Sequence, residues 1–337
     1  MKQIGRELGV RYVLEGSLRK SGTRVTAQLV EAENGKHVWA ERYDRDLADI
    51  FAVQDEITEA ATIAIAPVIA QAEQQRAMRR PPENLDAWAA YQRGLWHLGK
   101  TTAADNGLAE EFFQQAIDLA PNFAAPHSGL AWAQLISASQ FQKRSLMEVQ
   151  VSAERLIRRA LDLDPSDAEA RACWAFALFR RGDFQGAFME AERALATTPN
   201  LASAHHMRGV ALSNLGKPEE GLVAVEAAIR LDPCSPQLPV RLDHVAAMLY
   251  QCRQYEAVIT AAQRVIRSRP DHPPSYRWLA AAFGQLGRTD EAKAALDKAV
   301  AIGAASFDMY VRNRAPFWRP DDYAHMLEGL RKAGWEG

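Results

Sequence analysis

The stretch ASAHHMRGVALSNLGKPEEGLVAVEAAIRLDPCS, residues 202–235, decides the fold. It reads as two helical runs joined at Gly216 and stopped by Pro233. Glycine takes the left-handed backbone that ends a helix at little cost. Proline cannot continue a helix interior, so it closes the second run. Gly209 and Leu212 sit on the first run, and Gly221, Val225 and Ala228 on the second. Without a side chain at Gly209 and Gly221, the helices can approach to the near end of the ~8–10 Å range.

The same shape recurs outward in both directions. An Ala-rich helical run ending in proline closes at Pro121, Pro165, Pro199, Pro233 and Pro270, in steps of 44, 34, 34 and 37. A sixth segment, KAVAIGA near Ala304, follows one period later without the proline. The copy from Ala168 carries Ala175, Leu178, Gly182, Ala187, Ala194 and Pro199 at matching offsets. The copy from Pro273 carries Leu279, Ala280, Phe283, Gly287, Ala292 and Ala299. A fixed period with small residues at fixed offsets marks stacked supersecondary units, none of which buries its apolar faces alone.

With that period and those positions, the chain resembles the tetratricopeptide (TPR) repeat family. The resemblance implies a mainly α fold, a right-handed superhelix of about six helix pairs over residues 85–310, and a capping segment over 311–337. Two steps depart from 34. The step of 44 puts about ten extra residues around 139–150, expected to lengthen both helices of the second pair rather than form a long loop. The step of 37 puts three extra residues before Pro239, a kinked junction that a helix start tolerates. The first pair, from about residue 85 to Pro121, is helical in DAWAAYQRGLWHL but ambiguous in register.

Residues 1–80 read differently, as a small α+β segment. A helix over 3–8 ends at Gly9. Strands are expected over Tyr12–Leu18, 24–32 and 37–43, with Lys20-Ser21-Gly22-Thr23 as one turn and Asn34-Gly35 as a two-residue hairpin. Ile50, Val53, Ile57, Ala61 and Ile65 then recur at helical spacing. The run LGVRYVLEGSLRKSGTRVTAQLVEAENGKHVWAERYDRDLADIFAVQDEI resembles the second half of the TolB-type amino-terminal domain. That resemblance implies a place in bacterial signalling proteins, where class III adenylate/guanylate cyclases and winged-helix regulators carry such a domain ahead of TPR repeats. It also implies that the domain's earlier strands, and an effector domain before them, would precede residue 1, so the expectation is a truncated product or a misassigned start.

Composition narrows the function. Hydrophobic residues make up 48% and charged residues 24% of 337 residues, a folded composition. Lys plus Arg is 40 against 42 Asp plus Glu, which gives no global basic field for nucleic acid. The local group Lys143, Arg144, Arg155, Arg158 and Arg159 reads as a solvated helix face. WAERYDRD, residues 39–46, reads as a strand face with cross-strand pairs. Cys173, Cys234 and Cys252 have neither CxxC spacing nor disulfide density, which fits a reducing compartment. No run is long and apolar enough to span a membrane, and no signal-peptide h-region follows the N-terminus, so the expected location is cytoplasmic. There is no phosphate loop, GxGxxG, GxSxG or HExxH. The adjacent His205 and His206 diverge by ~100° on a helix and make a poor joint metal site. The expectation is a protein without catalysis and without a cofactor.

In TPR proteins, positions 2, 5, 9, 12 and 13 of each first helix line the inner groove. Carried onto this chain, the resemblance implies groove positions at Glu169, Phe176, Phe179, Arg180, His206, Val210, Ser213, Asn214, Asp243, Tyr250, Gln251, Arg277 and Gln285. Aromatic anchors among polar groups suit an extended peptide or a helix. Phe176 and Phe179 read equally as packing between repeats, and Trp174 and Cys173 as core. The Lys/Arg/Asn pattern of chaperone-tail clamps is not there. The expected role is a protein-interaction or sensor-coupling module. The rivals are a region of a cyclase that lacks its catalytic domain and a purely structural scaffold.

Overall fold

The computed structural model describes residues 2–18, 24–44, 50–78, 86–141, 143–312 and 319–336. The chain divides into two compact units, Met1–Arg93 and Gly94–Gly337.

In the first unit, α1 (Lys2–Leu8) ends at Gly9, whose φ of +64° is left-handed. Strands β1 (Tyr12–Leu18), β2 (Arg24–Glu31) and β3 (Lys36–Asp44) form an antiparallel meander in the order β1-β2-β3. Ala27, Leu29 and Val30 of β2 are buried, with a register shift between Leu29 and Val30. The second hairpin differs from the two-residue expectation. Glu31 pairs with Lys36, so the connection is the four residues 32–35, and only Gly35 has positive φ, +78°. A two-residue turn of the type that Asn-Gly favours needs positive φ at both positions. Here Asn34 instead uses its side chain, accepting from the Lys36 amide at 2.8 Å. The Lys20–Thr23 turn lies outside the described residues. Helix α2 (Ile50–Met78) packs on β3. Its Glu73 is buried and accepts from Arg11, from the Tyr12 hydroxyl at 2.9 Å and from the Trp88 indole at 3.0 Å. A buried carboxylate is tolerable only with such partners, and they hold its pKa below the usual range against the opposing effect of burial.

The division between units falls within α3 (Ala87–Leu98). From Gly94 onward, α3 meets α4 (Ala103–Leu119) through the ring of Phe113, which a Cβ on Gly94 would approach to 2.5 Å. Five further pairs and a terminal helix come after it. The first four are α5 (Ala124–Ser139) with α6 (Leu146–Leu163), α7 (Ala168–Arg180) with α8 (Phe184–Thr197), α9 (Ala202–Asn214) with α10 (Pro218–Leu231), and α11 (Leu238–Gln251) with α12 (Tyr255–Ser268). A last pair, α13 (Pro273–Gln285) with α14 (Thr289–Val311), precedes α15 (Pro320–Lys332); α14 is broken at Gly303.

The contact positions are those that the period implies. Ala131, Ala153 and Ala160 are fully buried in one pair, as are Ala175, Ala187 and Ala194 in the next, and Ala280, Ala292 and Ala299 in the last. In α11 and α12 the equivalents are Ala246, Val258 and Val265, also fully buried. The first turns close on Gly182, Gly216 and Gly287, with φ of +85°, +87° and +72°. The extra residues of the second pair lengthen α5 and α6 to 16 and 18 residues, with a six-residue connection between them; α9 and α10 have 13 and 14. The architecture is thus a TPR superhelix preceded by a small three-stranded sheet.

Candidate functional site

The first helices of successive pairs bring their inner ends together around a cavity of about 500 Å³. Eight of the thirteen groove positions line it: Phe179, Arg180, Val210, Ser213, Asn214, Asp243, Gln251 and Arg277. The wall is completed by residues off those five positions, His244, Met248, Trp278, Arg269, Asp271 and His272 among them. Thr101 also lines it, and its hydroxyl accepts from Arg269 at 3.0 Å across 168 positions of sequence. Thr101 holds φ at +54°, an outlier for a β-branched residue, at the point where the chain meets this cavity.

The polar groups form two linked sets. His206 and His244 share a ring-to-ring hydrogen bond of 2.8 Å, in which one nitrogen donates and the other accepts. Burial drives both imidazoles toward the neutral form, His206 well below its usual pKa and His244 down to about 4, with Arg180 adding to the effect on His244. Asp243 accepts from the Ser275 hydroxyl at 2.9 Å and lies 3.3 Å from the His272 ring. Burial raises the Asp243 carboxyl to about 7 against the pull of Ser275, Arg277 and Arg269. The same burial lowers His272 to about 4. The close approach of Asp243 and His272 therefore joins two groups that burial holds toward their neutral forms, rather than a full ion pair.

The other five positions have different surroundings. Glu169 keeps exposed surface, accepts from the Ser203 hydroxyl at 2.9 Å, and is pushed up by the protein around it. Phe176 stacks on Trp132 at 5.2 Å, so it packs between repeats. His206 reaches the cavity only through His244. Tyr250 is 1% exposed, beneath α15, and its hydroxyl donates to the His325 carbonyl at 3.0 Å. Gln285 accepts from Lys332 of α15 at 2.8 Å. Helix α15 thus lies across the ends of α11 and α13, with Met326 and Leu330 fully buried and Gln251 donating to Asp322 at 3.2 Å.

Elsewhere, His205 turns away from His206 to the Pro199 carbonyl, at 2.8 Å. Cys173 is buried, and Trp174 carries the Arg158 guanidinium 5.4 Å from its ring centre. The basic group is engaged locally: Arg144 donates to Glu110 at 2.6 Å, Arg159 to Asn122 at 3.0 Å and Lys143 to the Ala103 carbonyl at 2.9 Å. Among the described residues no cluster of three or more His, Cys, Asp or Glu has metal-binding geometry, and no helix is long and apolar enough to cross a membrane.

Sequence signals for the missed wall residues were weak. His244 and Met248 sit one position beyond those that TPR grooves use, and Arg269, Asp271 and His272 lie in the connection before α13.

Comparison with known proteins agrees with this fold. The tetratricopeptide repeat model matches residues 202–233 and 273–302. A curated relative, "Putative adenylate cyclase 3" of Rhizobium meliloti (strain 1021), is 32% identical over 180 residues, 53% of this chain and 31% of that protein. The match thus spans less than a third of the relative's length. Among solved structures, the APC/C hetero-tetramer Cut9-Hcn1 superposes with a TM-score of 0.57 at 13% identity, over 80% of this chain and 47% of that one. That likeness is one of fold. The comparisons and the packing together identify residues 202–233 and 273–302 as tetratricopeptide repeats within a longer array of the same architecture.

Proposed function

We propose that this chain is the non-catalytic interaction region of a cytoplasmic signalling protein, and that a protein or peptide partner docks on the inner face of its helix pairs. The observation that carries this reading is the convergence of Phe179, Arg180, Asn214, Asp243 and Arg277 on one face from four different pairs. Apolar anchors with a few fixed polar groups are what peptide recognition uses. The partner-binding set is Phe179, Arg180, Val210, Ser213, Asn214, Asp243, Gln251 and Arg277, with Glu169 and His206 at its margin.

The test is peptide selection. A displayed peptide library panned on the chain enriches sequences whose binding is lost in Asn214→Arg and kept in Val223→Glu, since Val223 is exposed on α10. Enriched binders indifferent to Asn214→Arg would place docking on another face and sink the reading.

A second reading concerns the effector. The resemblance of residues 4–57 to a TolB-type domain and the adenylate cyclase name of the relative support service to a class III adenylate/guanylate cyclase. A winged-helix regulator is the alternative parent. On either reading the purified chain forms no cyclic nucleotide from ATP or GTP, and measurable turnover would overturn its non-catalytic role.

A further inference from the structure

We propose that the chamber enclosed by the inner ends of α7, α9, α11 and α13 is a binding site for a small organic carboxylate with an apolar body. This goes beyond the docking of a protein partner, because it needs only the chamber and not the face around it.

Size comes first. At about 500 Å³ the chamber falls within the ~300–1,000 Å³ of small-ligand sites. Two of its lining side chains are held by hydrogen bonds to distant parts of the chain, Arg269 to Thr101 at 3.0 Å and Gln251 to Asp322 of α15 at 3.2 Å.

Charge comes next. Three guanidiniums, Arg180, Arg269 and Arg277, line the chamber against two carboxylates, Asp243 and Asp271. The formal balance is three minus two, or +1, and it becomes +2 when Asp243 takes a proton. The imidazoles add no charge near neutral pH, since burial lowers His244 and His272 to about 4. Guanidinium presents a planar fork that matches a carboxylate, and such a bond is stronger away from bulk water. The apolar part of the ligand has its counterpart in Phe179, Val210, Met248 and Trp278.

Asp243 gives the site a second signature. Ser275 and Arg277 face it from α13, Arg269 and His272 from the connection before α13, and His244 adjoins it on its own helix. Raised to about 7, its carboxyl gains charge as pH rises through neutrality and then repels an anionic ligand.

The experiment is calorimetric titration of the full chain with phenylacetate and hexanoate, and with phenylacetamide and hexanamide as neutral shape controls. The acids are expected to bind with Kd of about 1 mM or tighter, as their size allows, and the amides about tenfold more weakly. Arg180→Gln lowers acid affinity about tenfold and leaves the amides unchanged. Ala247→Phe fills the chamber and abolishes both, with folding checked by thermal melting. Should Arg180→Gln fail to fold, Arg269→Gln and Ala247→Phe carry the test. Acid affinity falls several-fold between about pH 6 and pH 8, and Asp243→Asn removes that dependence. Equal affinity for acid and amide, acid binding that survives Ala247→Phe, or no acid binding at about 10 mM would each overturn the proposal. So would selective binding of acidic peptides with no binding of the free acids.

Discussion

Arg253 occupies the turn position that glycine holds at 182, 216 and 287, and it adopts the same left-handed backbone, with φ of +59°. The hydrogen bonds are also shared: the amide after each turn residue reaches back to the first helix, Gln254 to Leu249 at 2.9 Å and Lys217 to Leu212 at 3.0 Å. A non-glycine residue in this region costs ~1–2 kcal/mol, part of which glycine returns as unfolded-chain entropy. Arg253→Gly is therefore expected to stabilise the chain by up to about 1 kcal/mol, read as a higher urea midpoint at constant m-value. The opposite sign belongs to Gly209. A Cβ there would sit 2.6 Å from the Gly221 carbonyl oxygen and 2.6 Å from a Val225 methyl. Backbone cannot yield as a flexible side chain can, so Gly209→Ala should cost ~1–3 kcal/mol. Gly107 is the control: it lies in α4 with nothing within 4 Å of its Cβ position, and Gly107→Ala should gain about 0.5–1 kcal/mol from helix propensity. A Gly209→Ala midpoint equal to the parent's would mean that α9 and α10 are not in this register.

At the scale of elements, α15 is held as closely as a repeat helix. A Cβ on Gly329 would lie 2.6 Å from the Ala281 carbonyl oxygen, and one on Gly284 would overlap the Gly329 carbonyl. His325 adds a contact to the Tyr255 hydroxyl at 3.1 Å, and Tyr323 donates to the Val311 carbonyl at 2.6 Å. Gly284→Val should therefore loosen α15 while α9 and α10 stay folded. Hydrogen exchange would show at least about tenfold faster exchange over residues 320–332 against unchanged rates over 202–231. Uniform loss of protection would show instead that α15 and the array unfold together. The helix pairs were legible in the sequence because proline stops and small residues recur at a local period. The first pair was ambiguous because three extra residues lie between Gly94 and Ala109, where α4 runs to 17 residues against 14 in α10, and Gly94, Ala109, Phe113, Ala116 and Pro121 line up only once those are set aside. The return of α15 onto α11 and α13 was not legible, because no periodic signal links Tyr250 to His325 over 75 positions. It depends on how far the stacked pairs curve. For the same reason repeat offsets reach eight residues of the cavity wall, whereas Arg269 and His272, in a connection of altered length, lie beyond them.

The whole molecule carries an unequal set of buried titrating groups, and this sets the direction of its acid response. His206, His244, His272 and His325 all have folded pKa values below that of free imidazole, with burial as the first cause. A group depressed in the fold contributes stability that is present above its unfolded pKa, about 6.5, and lost as pH falls through the folded value, about 4 for His244 and His272. Asp243 runs the other way. Its folded pKa of about 7 lies above the ordinary carboxylate value, so its contribution is present in acid and lost as pH rises through about 7. Glu169 shares that direction. As pH falls, the unfolded chain thus takes up protons at these four histidines more readily than the folded chain does, whereas Asp243 and Glu169, together with Asp167 and Asp322, which burial also raises, take them up more readily in the fold. Glu73, Asp105, Glu148, Asp164, Glu291 and Glu328, all held below the usual carboxylate range by their partners, side with the histidines. Stability therefore falls on acidification, each uncompensated proton contributing about 1.4 kcal/mol per pH unit. The 2.8 Å bond between His206 and His244 strengthens the case, because two imidazolium rings have no lone pair to share in it. Urea unfolding from about pH 7.5 to pH 4.5 should show a steady loss of stability, and the double variant His206→Gln, His244→Gln should flatten it. A parent profile already flat over that range would mean that these rings are hydrated in the folded protein and that the inner ends of α9 and α11 are open to water.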